Sequence, residues 1–165
     1  MNEVTNVKKE LVAFNSWIES LYLMDEKLFF TPIKAGKWTP AEIISHITYW
    51  DRYIDAEMLP VMTEDAAIHS VDFEVINTPA AAYALSGVSQ SDLLDAQLEA
   101  RNNLVAALSE KTEEEFFQAF TLNGEVIDEY SGYPHTLYNY LMSFIWHDNH
   151  HKDQIEAFLA NTNKV

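Results

Sequence analysis

Three histidines carry the chemistry open to this sequence. In the stretch Ile145-Trp146-His147-Asp148-Asn149-His150-His151-Lys152-Asp153-Gln154-Ile155, His147 and His151 stand four residues apart. On a helix, at about 100° per residue, that spacing brings both imidazoles within about 40° of each other, on the side taken by Phe144, Ile155 and Phe158. His150 falls off this stripe. Two histidines so placed can both reach one ion with nitrogens at about 2.0–2.1 Å. Burying a pair of imidazoles among apolar side chains costs free energy unless something satisfies them, and a divalent ion is the simplest partner.

His46 is the candidate third ligand. It sits on the edge of an apolar stripe formed by Ile43, Ile47, Trp50 and Ile54, and faces the same way as Trp50. Taken alone, it reads as a hydrogen-bonded core residue; beside the pair, it completes a set of three neutral imidazoles. Such a set leaves a coordination position for water or substrate, the arrangement of a catalytic site rather than a closed structural one. His69, His135 and His150 read as surface or loop residues. No individual residue is singled out as an acid, base or nucleophile.

Two neighbouring motifs are excluded. His147-Asp148-x-x-His151 resembles the zinc-protease helix, but Asp replaces the general-base Glu and the shorter side chain is badly placed for that role. A di-iron carboxylate bundle needs Glu-x-x-His on each of two helices, and Glu42 and His46 are one residue too far apart. Asp148 and Gln154 read either as groups that orient an imidazole or as plain helix-surface polars.

These residues need helices to bring them together. Only four glycines and five prolines occur, nearly all between periodic apolar segments. A first helix is expected from Val4 to Phe29, with Leu11, Phe14, Ile18, Leu21 and Leu28 on its stripe, ended by Thr31-Pro32. Thr39-Pro40-Ala41-Glu42 is a capping box with Pro at the first helical position, and opens a second helix to about Leu59. Pro60 to Val88 reads as a long crossover with one short helix. Ser89 or Ser91 caps a third long helix to about Leu108, with Leu94, Leu98, Arg101, Val105 and Leu108 on one line. Thr112 and Glu115 form another capping box, Asn123-Gly124 marks a tight turn, and Glu125 to Gly132 is extended or irregular. The last helix runs from His135 or Thr136 to Leu159. The expectation is an all-α four-helix bundle with long crossover connections, one domain over residues 1–165.

Composition narrows the partners. The 165 residues are 48% hydrophobic, enough for a single core, and contain no cysteine, so disulfides, thiolate zinc sites and cysteine nucleophiles are out. A net charge of −16 argues against nucleic acid and anionic membrane surfaces. No signal peptide and no membrane span is read, so a cytoplasmic protein is expected. Trp17, Tyr22 and Phe29 offer a surface for pairing as a homodimer.

The segments Gly36-Lys37-Trp38-Thr39-Pro40-Ala41-Glu42-Ile43-Ile44-Ser45-His46, then Trp50-Asp51, and His147-Asp148-Asn149-His150-His151-Lys152-Asp153-Gln154-Ile155 resemble the DinB/YfiT-like superfamily of metal-dependent four-helix bundles. Their order and separation cover nearly the whole chain. The resemblance implies that His46, His147 and His151 are the metal ligands. It also implies a small-molecule substrate and a low-molecular-weight thiol as cosubstrate, since members include bacillithiol S-transferases and mycothiol-dependent maleylpyruvate isomerase. Where the family commonly has Gly before the Gln, this chain has Asp153, on the side of the helix away from the ligands. The expected function is a metal-dependent enzyme of thiol S-transferase or hydrolase type using zinc or nickel. The alternative is a non-catalytic module that binds a small molecule or partner around a structural metal. Trp50 and Tyr53 read first as bundle core, and second, with the crossover, as lining the approach.

Overall fold

The structure is a computed structural model that describes residues 2–163; the expected domain also takes in Met1, Lys164 and Val165, which lie outside them. Helix α1 (Glu3–Ser20) begins where the Asn2 side chain accepts the Thr5 N–H. Its buried residues Val4, Val7, Leu11, Phe14 and Ile18 recur at three and four. The continuous helix expected as far as Phe29 is not formed. After a 3-10 turn at Leu21–Leu23 the chain opens at Met24, and α2 (Glu26–Phe29) starts afresh. Asp25 is the cause: its carboxylate accepts the Leu28 N–H, the work of an N-cap. The break leaves Leu23 93% exposed and buries Phe29 completely, where Leu28 was expected.

Helix α3 (Pro40–Tyr53) opens on the expected capping box, with both of its reciprocal hydrogen bonds present between Thr39 and Glu42. It continues to Val61 through a π-helical turn at Ile54–Met58 and a 3-10 turn, which together bury Ile54, Met58 and Leu59. The crossover then contains two elements. Strand β1 (Ala67–Ile68) will pair with a later segment, and α4 (Phe73–Ala84) is longer than the short helix expected. Asn77-Thr78-Pro79, part of the stretch read as a crossover, lies inside it. Pro79 removes one hydrogen bond, to the Val75 carbonyl, but both residues are exposed and water can serve that carbonyl. Helix α4 packs against α3.

Helix α5 (Gln90–Ser109) is capped by Ser89, and α6 (Glu113–Phe116) by the second capping box, with both reciprocal bonds in place. Strand β2 (Thr121–Leu122) pairs in parallel with β1. The turn beyond it has both Asn123 and Gly124 at positive φ, 53° and 83°, the left-handed pair that a two-residue hairpin demands. Helix α7 (Leu137–Thr162) starts at the Thr136 cap and carries the long histidine stretch.

Helices α1, α3, α5 and α7 form the four-helix bundle, joined by long connections. Trp17 is 8% exposed and Phe29 wholly buried, so two of the three aromatics expected to pair with a second copy are core residues; the Tyr22 hydroxyl donates to Asp95. Two apolar clusters fill the interior, one around Leu11, Ile54, Leu104 and Leu141, the other around Ile18, Phe29, Ile44, Leu94 and Ile155. Between them lies a buried polar layer of Thr48 and Asp51 from α3, Gln97 and Arg101 from α5 and Asp148 from α7. Among the described residues no helix is long and apolar enough to cross a membrane.

Candidate metal centre

Helices α3 and α7 bring His46, His147 and His151 together. The Nε2 atom of His147 lies 2.9 Å from Nε2 of His46 and 3.1 Å from Nε2 of His151. The three offer one ligand atom each within 4.8 Å of one another, a group of the kind that could hold a metal ion. His46 is 5% exposed, while His147 and His151 are half-buried. His150 points away and stacks on exposed Trp146 at 5.3 Å.

The hydrogen bonds around the rings decide where their protons sit. Asn77 Oδ1 accepts from Trp50 Nε1–H at 2.9 Å and faces His46 Nδ1 at 2.8 Å. The indole N–H can only donate, so the Asn77 atom is an acceptor and His46 must carry its proton on Nδ1. His46 Nε2 is thereby left as a lone pair. His151 is held the same way, its Nδ1–H donating to Gln154 Oε1 at 2.8 Å. His147 Nδ1 is buried without a hydrogen-bond partner and lies 3.6 Å from Asp148 Oδ1. A proton on that nitrogen is attracted to the carboxylate, whereas a lone pair there would be repelled.

The Nε2 lone pairs of His46 and His151 therefore converge on His147 Nε2, which joins them as a third when that ring carries its proton on Nδ1. Burial, and then the neighbouring rings, lower the pKa of His46 to about 3; burial and then His147 lower that of His151 to about 4. Both are neutral at physiological pH and available as donors to a cation. Two nitrogens at about 2.0–2.1 Å from one ion are about 2.9 Å apart at a right angle and about 3.4 Å at the tetrahedral angle. The observed 2.9 and 3.1 Å fall in that range. The donor set fits a borderline transition-metal ion, and three nitrogens leave part of its coordination sphere free.

A model of the DinB superfamily matches residues 11–155. The chain belongs to that superfamily. Among solved structures, a DinB-like match is YfiT from Bacillus subtilis, described as a probable metal-dependent hydrolase with an unusual four-helix bundle topology. It shares 19% sequence identity at a TM-score of 0.72, over 97% of this chain and 87% of that one. No curated protein matches.

Relative to the sequence expectations, this DinB chain brings the three predicted histidines together, and Gln154 takes the orienting role that had been one of two readings. Asp148 is no helix-surface polar: its Oδ1 lies 3.6 Å from His147 Nδ1. It is buried and accepts from Arg101 Nη2 at 2.7 Å. Arg101, read only as part of an apolar line, is 1% exposed and touches all four bundle helices. Its Nε and Nη2 donate to Asp51 at 2.8 and 3.1 Å, its Nη1 to the Leu11 carbonyl at 3.3 Å, and its guanidinium lies 5.0 Å from the Phe14 ring centre. Gln97 donates to Asp51 at 2.9 Å and accepts from Thr48 at 2.7 Å. Burial alone works against the guanidinium charge and pushes the Asp51 carboxyl up. The forked pairing outweighs burial for Arg101, whose pKa is raised.

Asn77 was missed altogether because it lies in the stretch read as a long crossover. The available signal was a polar residue one helical turn after Phe73, on a segment between two parts of the bundle. Trp50 is core, as its first reading held, but its indole N–H also fixes the Asn77 amide.

Proposed function

We propose that His46, His147 and His151 hold a divalent transition-metal ion through Nε2, and that the protein is a metal-dependent enzyme of hydrolase or thiol S-transferase type. The observation that supports this is the convergence of three Nε2 atoms, with Asn77 and Gln154 keeping the protons of His46 and His151 on Nδ1 and the Asp148 carboxylate lying against Nδ1 of His147. A divalent ion so held supplies Lewis acidity, polarising a substrate group and acidifying a water or thiol that reaches it. Zinc and nickel suit the all-imidazole set best.

The chain's own contribution is positioning. Asn77 holds His46 and Gln154 holds His151 in one orientation, so neither ring must reorganise to use its lone pair. Trp38, 5.0 Å from the His46 ring, and Trp50, 6.4 Å from it, wall off that side from water. A closed structural site would need a fourth protein ligand, and the group contains three residues. The hydrolase arm is supported by the description of YfiT, the thiol arm by the resemblance of the histidine segments to thiol-dependent members.

Elemental analysis of purified protein, alone and after zinc or nickel loading, tests the site. About one equivalent is expected for wild type and loss of it for His46→Ala and His151→Ala, as three imidazoles bind tightly. Less than about a tenth of an equivalent in wild type, with no uptake of added ion, would remove the proposal. Turnover of an ester panel and a thiol–electrophile panel by loaded protein then separates the two reaction types, and inactivity on both returns the protein to a binding module.

A further inference from the structure

A second feature lies against the histidines. A cavity of about 180 Å³ opens between the loop before α3 and the end of α7, lined by Ile33, Gly36, Lys37, Trp38, Ile43, His151 and Gln154. Its shape comes from a built turn. The Ile33 N–H donates to the Trp38 carbonyl at 3.0 Å and the Lys37 N–H to the Lys34 carbonyl at 2.9 Å, with Gly36 at φ 73°. That φ is the left-handed region that glycine alone adopts freely. Ile33, Ile43 and Trp38 make the walls apolar, and His151 sets one side of the cavity beside the metal centre.

Apart from His151, whose Nε2 faces His147, the polar side chains here offer donors to a ligand. No Asp or Glu is among the lining residues. Gln154 has its amide oxygen taken by His151, and its amide NH2 makes no hydrogen bond among the described residues. Lys37 adds a cation. The surrounding sequence is unlike the rest of the chain: from Lys27 to Ala41 there are three lysines and no acid, in a protein with 26 acidic and 10 basic residues. Glu42, the next acid, is turned back on the Thr39 N–H as its capping-box partner. A locally basic mouth on a strongly acidic protein focuses anions to one place.

Another cleft on the other side of α7, of about 160 Å³, is lined by Arg101 and Lys152 but also by Glu10 and Asp148. There Arg101 already donates to Asp51, Asp148 and Leu11, and Lys152 shares the cleft with Glu10, so an anion would meet acids that the first cavity's lining does not hold.

We propose that the 180 Å³ cavity is the substrate pocket and that it takes a small ligand with an apolar body and a carboxylate, the carboxylate held by Lys37 and the Gln154 amide NH2 and the body against Trp38. As the substrate assignment it rests on the metal-dependent reading above; as a binding site it can be tested without the metal.

The test uses benzoate as probe, with benzyl alcohol as its neutral match, followed by the Trp38 indole and Gln154 side-chain amide resonances in 1H–15N spectra at low salt. Benzoate is expected to shift both resonances and to bind about tenfold more tightly than benzyl alcohol. Lys37→Gln should weaken benzoate about threefold to fivefold, the size of one exposed ion pair, leave benzyl alcohol unchanged, and remove most of the salt dependence; Lys37→Arg should restore benzoate binding. Equal binding of the two probes, shifts mapping elsewhere, or an unchanged benzoate affinity in Lys37→Gln would overturn the proposal. Running the titrations on metal-free and metal-loaded protein, with metal content measured on the same samples, keeps the two readings apart. Loss of metal binding with benzoate selectivity intact defeats the metal reading alone, and intact metal binding without selectivity defeats the pocket.

Discussion

Helix α7 carries two polar clusters one residue apart, and they solve opposite problems. Asp148 belongs to a layer that supplies its own counter-charge, Arg101 between two carboxylates, with its hydrogen bonds made inside the protein. His147 belongs to a group of three imidazoles whose Nε2 atoms face each other, two of the rings held from the outside by Asn77 and Gln154. The first arrangement is complete as a fold; the second forms a group that could hold a metal ion. Buried polar groups that close on themselves hold helices in register, while groups whose lone pairs stay free are available for chemistry.

The largest effect should come from breaking the closed cluster. Arg101→Met keeps the volume but strands Asp51 and Asp148 without their cation, and should cost about 3–5 kcal/mol in denaturant unfolding. Adding Asp51→Asn and Asp148→Asn to it should recover part of the loss, because the cost is that of uncompensated charge rather than of a missing contact. A loss under about 1 kcal/mol for Arg101→Met would mean the layer is hydrated and does not bind the helices together. His46→Ala should behave in the opposite way. Metal-free, it removes a ring from an already unsatisfied group and should change stability by much less than Arg101→Met. With metal at about a hundred times its dissociation constant, wild type should gain about 2.7 kcal/mol and the variant almost none. Thermal melts with and without zinc would check both halves, and equal stabilisation of the two proteins would place the ion elsewhere.

The two clusters were unequally legible in the sequence. His147 and His151 share a helix, so their meeting is a matter of helical pitch, and His46 could be matched to them because it too faced inward. Arg101 sat in plain view on an apolar line, and a buried guanidinium demands acids, but the choice of Asp51 and Asp148 among 26 acidic residues depends on how four helices are rotated against each other. Local turn chemistry misled in both directions. Asp25 looked like one more helical residue and proved to be a cap, while Asn77-Thr78-Pro79, read as part of a long crossover, proved to be the middle of α4. Tertiary packing of α4 on α3 overrode the proline, and with it the residue that orients His46 was hidden.

Asn77 gives the next, smaller prediction. Asn77→Ala leaves all three histidines but frees His46 to rotate and to exchange its proton between nitrogens. Metal affinity should fall about tenfold to a hundredfold with stoichiometry kept at one, measured by competition with a chelator. Asn77→Asp supplies an acceptor at the same place and should retain most of the affinity. If Asn77→Ala binds as tightly as wild type, ring orientation is set by packing against Trp38 and Trp50 alone.

Gln154→Ala should show the same effect at smaller size. Gln154 is half-buried and sits one turn along the same helix as His151, so water can replace its oxygen at His151 Nδ1, which it cannot do as readily at buried His46. An affinity loss below about tenfold is expected, and smaller than that of Asn77→Ala in the same assay. The order is what matters: it follows from which ring is shut away from solvent. A larger loss for Gln154→Ala would mean that His151, on the open side of the centre, depends more on its partner than His46 does, and that the rigid half of the site lies on α7 rather than on α3.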